Sequence, residues 1–302
     1  MYDIVIVGGG PAGMTAALYA QRNGKQALVI EKAGFGGQIT HSPKIENFPG
    51  TLTMSGNELA DKMLSQILEQ GAEIEFETVT AVEADGDKKT VRTEEGGVYE
   101  GRAVILATGV RHRMLGLPGE DDLVGEGISF CAVCDGDFYK NKVVCVAGGG
   151  NSALQEAILL SDKCSRVIML QDLPAFTGEQ TLQNILFARK NVSARTGVTI
   201  TRLLTADGVF SGVEIETDGV KETVACDGLF VAIGLIPENE AFRSLAALND
   251  WGYFDADERC LTKTPGVFVA GDCRSKAIRQ VTTAAADGTV AALAACRYID
   301  TL

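Results

Sequence analysis

Two cysteines three positions apart, Cys131 and Cys134, are followed at once by a carboxylate, Asp135. Thiols at this spacing sit on adjacent turns of a short helix and can close a small disulfide. The neighbouring acid can move the proton that thiol exchange requires. The same C-x-x-C can also be half of a zinc site, or a coincidence. A zinc site needs a second pair at similar spacing, and there is no other C-x-x-C. The remaining cysteines (145, 164, 226, 260, 273 and 296) are singletons, and the only histidines, His41 and His112, have no partner at ligand spacing. No metal is therefore expected. Taken with the rest of the chain, the pair reads as a redox dithiol, and the six singletons as small hydrophobes.

The chain of 302 residues is long enough for two ordinary domains. Its net charge of −13 disfavours nucleic acid, whose phosphates select lysine and arginine. No run of about 18 apolar residues is present to span a membrane. The N-terminus has neither a basic region nor a cleavable apolar core, so the expected compartment is the cytoplasm, where an exposed dithiol is catalytic rather than a structural staple.

Two similar units flank the dithiol. Tyr2–Val7 reads as an apolar strand and ends in Gly8-Gly9-Gly10-Pro11-Ala12-Gly13. A helix follows to Asn23, then a strand over 26–30 that ends in Glu31. Strand, glycine turn, helix, strand and acid is the dinucleotide-binding order. Gly8 makes the turn, Gly10 lets a pyrophosphate approach the helix N-terminus, Gly13 permits close helix packing, and Glu31 can hold an adenosine ribose. The second unit begins at Lys142. Val143–Ala147 is apolar, Gly148-Gly149-Gly150-Asn151-Ser152-Ala153 follows, and a helix and a strand over 166–170 complete it.

Between and after these units the signals are weaker. Residues 34–38 and 45–50 read as turn-rich loops. Residues 55–70 form an amphipathic helix with Leu59, Met63 and Ile67 on one stripe. Residues 103–107 form a strand that ends in Thr108-Gly109, echoed by Ile233-Gly234. A further apolar strand delivers Gly271-Asp272 at its carboxyl end, ahead of a small-residue helix over 282–296. Trp251 and most phenylalanines read as core.

Together these blocks resemble the low-molecular-weight thioredoxin reductases over essentially the whole chain. They are residues 8–13, Gly36-Gly37-Gln38, Glu46-Asn47-Phe48-Pro49-Gly50, Ala107-Thr108-Gly109, residues 131–136 and 148–153, Gly271-Asp272 and residues 279–284. The resemblance implies an α/β fold of two Rossmann-like, three-layer ββα dinucleotide-binding domains, the second inserted in the first. Residues 1–115 and 238–302 would bind FAD, and 116–237 would form an NAD(P)H-like domain carrying the dithiol. It implies FAD contacts from Gly8, Gly10, Pro11, Ala12, Gly13, Glu31, Gly37, Gln38, Asn47, Val79, Ala107, Thr108, Gly109, Gly271, Asp272, Arg279, Gln280 and Val281. Cys134 would face the flavin, Cys131 would attack the thioredoxin disulfide, and Asp135 would shuttle the proton. A homodimer is also implied.

One stretch departs from the family. Where NADPH-dependent members carry H-R-R-x-x-x-R, this chain reads Leu170-Gln171-Asp172-Leu173-Pro174-Ala175-Phe176-Thr177. Those arginines would grip a 2′-phosphate. Here Asp172 would repel it, and each lost charge-assisted contact removes roughly 1.5–3 kcal/mol. The ribose-binding slot falls on Gln171, 21 positions after Gly150, as Glu31 falls 21 after Gly10. The nucleotide site is therefore expected to be degenerate. The chain most resembles the ferredoxin-dependent flavin thioredoxin reductases, with reduced ferredoxin as electron donor. Docking an acidic ferredoxin would call for a local basic patch, for which Arg22, Lys25, Arg111 and Arg113 are candidates. The competing expectations are an NADH- or NADPH-dependent reductase, an oxygen-dependent dithiol oxidase, and an FAD-bound redox sensor without turnover.

Overall fold

A computed structural model describes residues 1–42 and 44–302. They form two compact units, residues 1–111 with 236–302, and residues 112–235. The sequence predicts these boundaries at 115/116 and 237/238.

The first unit is built on parallel strands in the order Glu73–Phe76, Ala27–Glu31, Tyr2–Val7, Val98–Leu106, Val267–Val269. Strand alternation decides what each face carries. Ile4, Ile6, Val29 and Ile105 point to the side of the helices Pro11–Arg22, Gly56–Glu69 and Val281–Asp300, and pack with Met14, Ile67 and Ala291. Val5, Val7, Leu28, Val104 and Leu106 point the other way and pack with Val82, Val91 and Phe242. That third layer contains an antiparallel meander of Val79–Asp85, Lys88–Thr93 and the first half of Val98–Leu106. The amphipathic helix starts with a capping box between Ser55 and Glu58.

The second unit repeats the plan. A parallel sheet runs Val192–Thr196, Arg166–Gln171, Val143–Ala147, Gly228–Val231, Ile128–Ser129. Val144, Val146, Val167 and Met169 face helix residues Leu154, Ala157 and Leu160. Cys145, Ala147, Ile168 and Leu170 face the meander Thr199–Ala206, Val209–Thr217, Val220–Ala225 through Leu203, Phe210 and Val213.

The six singleton cysteines are all buried. Trp251, read as core, is instead 75 % exposed. It sits in a turn closed by the Asn249 side chain, whose Oδ1 accepts the N–H groups of Trp251 and Tyr253, both at 3.0 Å. The turn fixes the backbone without burying the indole. Phe76 and Phe187 are exposed too. Residues 37–41 and 45–54 are more ordered than plain loops. Gly37–His41 is a 3-10 turn, Ile45 bridges Met54, and Ile39 and Ile45 are buried against Leu59 and Ala60. Among the described residues, no helix is long and apolar enough to cross a membrane.

Candidate active site and cofactor site

Cys131 and Cys134 form a disulfide with their Cα atoms 5.3 Å apart. Cys131 caps the helix Ala132–Asp135, and its Sγ accepts the N–H of Cys134 at 3.1 Å. This amide is positioned to stabilise negative charge on the Cys131 sulfur. Both cysteines are half-buried, while Val133 between them is exposed. Asp135 is buried beneath the pair. Its Oδ2 accepts the Ser129 hydroxyl at 2.6 Å, and the same Ser129 oxygen accepts the Cys131 N–H at 3.2 Å. Its Oδ1 is buried without a hydrogen-bond partner among the described residues. Burial pushes the Asp135 carboxyl above the usual carboxylate range, partly offset by the Ser129 bond. Asp135 can therefore hold a proton closer to neutral pH than an exposed aspartate.

The expected FAD residues converge within the first unit. A Cβ on Gly13 would lie 1.9 Å from the Gly8 carbonyl oxygen, so Gly13 is glycine because helix and turn touch. Gly10 differs: its backbone is extended (φ −75°) and a Cβ there would meet nothing within 4 Å. Protein packing does not require glycine at that place, and an approaching pyrophosphate would. Pro11 opens the following helix, and Ala12 and Gly13 are buried within it. Glu31 Oε2 accepts the Gly9 N–H at 2.7 Å and Oε1 the Ala33 N–H at 3.0 Å.

Ala107 donates its N–H to the Val7 carbonyl, next to Gly8, and a Cβ on Gly8 would fall 2.3 Å from the Ala107 oxygen. Thr108 Oγ1 donates to Asn239 Oδ1 at 2.7 Å, and Gly109 follows with φ +66°. Gly37 approaches Gly10, and Gln38 is exposed on the same turn. Asn47 Nδ2 reaches Gln280 Oε1 at 3.3 Å, and Gln280 with Thr283 starts the last helix, beginning at Val281. Arg279 stacks on Tyr253 at 4.3 Å and donates to the Asp272 carbonyl at 3.2 Å. Val79 begins its meander strand opposite Thr93 and packs in the layer beyond the sheet.

The strongest sign of a missing polar partner is Asp272. Its Oδ1 is buried with no hydrogen-bond partner among the described residues, and burial pushes its carboxyl up to about 6. A hydroxyl-rich ligand chain would satisfy that oxygen. On this orphan and on the open cradle at Gly10, the residues fit FAD.

Several positioning residues escaped the sequence reading. Asn239 is fully buried; its Nδ2 donates to the Gly252 and Cys273 carbonyls, both at 2.9 Å, while its Oδ1 holds Thr108. Asp287 accepts the Gly271 N–H at 3.0 Å and pairs with buried Arg274 (2.7 Å) and Lys276 (2.9 Å). Burial works against its ionisation, yet these cations hold Asp287 below the usual carboxylate range. Asp287 gave no signal, because its partners are 11 to 16 residues away along the chain.

In the second unit, an open cleft of about 660 Å³ is lined by residues 147–152, Gln171, Asp172, Thr177, Thr199 and Gly234. A Cβ on Gly150 would touch only Thr177 Oγ1, at 3.8 Å, so the cradle persists. Gln171 is buried and lies over Gly149, where a Cβ would fall 2.5 Å from its Cδ; its Nε2 donates to the Ala175 carbonyl at 3.3 Å. Asp172 Oδ1 accepts the Leu173 N–H at 2.9 Å. Residues 177–179 fold over the turn: the Thr177 and Gly178 N–H groups donate to Gly149, and Asn151 and Glu179 clasp each other. The cleft's one cation among the lining residues is Arg113, whose N–H donates to Gly234 beyond the strand Gly228–Val231. That puts it on the opposite side of the central strand from Gln171.

Residues 2–288 match the family described as pyridine nucleotide-disulphide oxidoreductase. A protein of Listeria monocytogenes named thioredoxin reductase is 38 % identical over 304 residues, which covers 100 % of this chain and 95 % of the relative. A Clostridium pasteurianum protein named "34.2 kDa protein in rubredoxin operon" is 40 % identical, covering 98 % and 97 %. The crystal structure of thioredoxin reductase from Streptococcus pyogenes superposes with a TM-score of 0.94 at 37 % identity, covering 100 % and 99 %.

Proposed function

The chain belongs to the thioredoxin reductase family of pyridine nucleotide-disulphide oxidoreductases, and from that premise we propose that it reduces thioredoxin through Cys131 and Cys134 with electrons from reduced ferredoxin. On this proposal FAD is held by the residues expected from the sequence, with Gly10, Glu31 and Asp272 at their centre. Bound FAD would supply a redox centre able to collect electrons singly and release them in pairs. In the reduced protein, Cys131 attacks one sulfur of the thioredoxin disulfide and forms a mixed disulfide. Cys134 then displaces reduced thioredoxin and closes the Cys131–Cys134 bond again. The Cys134 N–H held on Cys131 Sγ supports Cys131 as the attacking thiolate. Asp135, tied to Cys131 through Ser129, supplies the proton to the leaving thiolate.

The donor assignment rests on Gln171: the ribose slot holds an amide turned into its own loop, with Asp172 beside it, while Arg113 lies across the central strand and Arg195 is paired with Glu222. Among the candidate docking cations, Lys25 pairs with Asp300 and Arg111 with Glu238. Surface pairs of this kind contribute little and leave both cations available to a partner. NADH-driven reduction is the second reading, favoured by the open cradle at Gly150 and by the matching family's description as pyridine nucleotide-disulphide oxidoreductase. The protein acts as a homodimer in the cytoplasm on this proposal.

Reconstitution tests it. Thioredoxin thiols should form with reduced ferredoxin and fail to form with NADPH. Full thioredoxin reduction by Cys131→Ser would overturn the role given to Cys131.

A further inference from the structure

The helix that carries the dithiol is flanked by a second carboxyl group, which the mechanism above does not use. Glu156 lies on the helix Asn151–Ser161, and its Oε2 accepts the N–H of Ala132. That amide belongs to the peptide immediately after Cys131. Asp135, on the other side, reaches the Cys131 N–H through Ser129. Both peptide N–H groups that bracket Cys131 are thus tied to carboxyls. Asp135 is the charged group that acts on Glu156, and burial with this neighbour pushes the Glu156 carboxyl up to about 7, against the lowering effect of the Ala132 bond. On the adjoining turn, Lys163 is paired with Asp137 at 2.8 Å, and Tyr139 is buried.

We propose that Glu156 is a positioning residue that couples the Cys131–Cys134 dithiol to a proton: opening the disulfide draws a proton onto the Glu156 carboxylate, and closing it releases that proton. This inference rests on the reading of Cys131 and Cys134 as the working redox pair. Two electrons break the S–S bond. One sulfur takes a proton and the other remains a thiolate. A new negative charge then shares a poorly solvated site with two carboxyls. Like charges flanking one short, half-buried helix do not all persist, so the second proton goes to Glu156, whose carboxyl is bonded to the peptide next to Cys131. When the thiolate attacks a disulfide and its charge leaves, Glu156 ionises again. Asp135 hands a proton to the leaving thiolate, and Glu156 sets how much thiolate exists at a given pH.

The test uses the intact FAD-loaded protein, reduced with dithiothreitol and freed of excess reagent. Alkylation of Cys131 by iodoacetamide is followed by mass spectrometry from acid to alkaline pH in the wild type, Glu156→Gln and Glu156→Asp. Glu156→Gln keeps an oxygen for the Ala132 N–H and removes the charge. Its thiol pKa should fall by about one unit, giving about tenfold faster alkylation near neutral pH. Glu156→Asp restores the charge and should return the slow wild-type profile. Superposable profiles for the wild type and Glu156→Gln would overturn the proposal. Infrared difference spectra of the wild type provide a readout that needs no variant. A protonated-carboxyl C=O band should gain intensity on reduction, and its absence would also overturn the coupling. Because dithiothreitol opens the disulfide directly, these results are independent of the donor. If the disulfide reduces chemically but never through FAD, it is the redox-pair reading that fails.

Discussion

Glu31 and Gln171 end the corresponding strands of the two units, yet only Glu31 presents a carboxylate to its glycine turn. Glu31 accepts the Gly9 N–H at 2.7 Å, whereas Gln171 covers Gly149 and donates to Ala175. An adenosine ribose needs an acceptor for its hydroxyls at this place, and the second unit offers an amide already engaged in its own loop.

Restoring the acid should restore part of the nucleotide site. In Gln171→Glu, the carboxylate can take the Gly149 N–H as Glu31 takes that of Gly9. One charge-assisted hydrogen bond is worth roughly 1.5–3 kcal/mol, so NADH should bind about 10- to 100-fold more tightly. Calorimetry checks this, and an unchanged NADH affinity would contradict the reading of Gln171.

Gly10 and Gly150 both have room for a methyl group, which separates fold from ligand. Gly10→Ala should fold with stability within about 0.5 kcal/mol of the wild type and lose most of its FAD. Gly150→Ala should fold equally well, keep its FAD and retain ferredoxin-driven thioredoxin reduction. Flavin content after gel filtration and a turnover assay decide both. A large loss of turnover in Gly150→Ala would mean that the second cleft works with a nucleotide.

Asp272 links cofactor binding to pH. Without FAD its folded carboxyl is raised to about 6 by burial, above its unfolded value of 3.8. Its favourable contribution is therefore fully present below the unfolded pKa and is lost as pH rises through about 6. The FAD-free Asp272→Asn protein should exceed the FAD-free wild type in stability at pH 7, by on the order of 2 kcal/mol, and lose that advantage near pH 4. Urea unfolding at the two pH values measures this. FAD affinity should fall in the same variant, because the carboxylate oxygen proposed to accept a ligand hydroxyl is replaced.

Asp135 is expected to act as an acid. Its raised carboxyl is protonated over a wider range than an exposed aspartate, and that fraction declines as pH rises. Asp135→Asn should lower thioredoxin turnover by roughly 10²-fold, remove the fall in turnover that deprotonation of this carboxyl causes as pH rises, and leave FAD content intact. A pH profile of kcat that matches the wild type would remove Asp135 from the mechanism.

Both glycine turns, both parallel sheets and the dithiol were legible in the sequence because each depends on local patterning. Apolar runs such as Tyr2–Val7 and Val143–Ala147 alternate into two buried faces, and Gly8 and Gly148, which open the turns after them, leave no room for a side chain. Contacts made across long sequence separations were not legible. Asn239 meets Thr108 over 131 positions, and Glu156 meets Ala132 over 24. Trp251 misled because its size suggested burial, while Asn249 fixes its turn without it. The closure of residues 177–179 over Gly149 is also three-dimensional information, since Thr177 and Gly178 look like ordinary loop residues in the sequence.

The most direct test of the central claim is the anaerobic flavin spectrum of the oxidised, FAD-loaded protein during additions of NADPH, NADH and reduced ferredoxin. Bleaching by ferredoxin alone, followed by the appearance of thioredoxin thiols, is the predicted result. Rapid bleaching by NADPH or NADH would contradict it and return the cleft at Gly150 to a nicotinamide nucleotide.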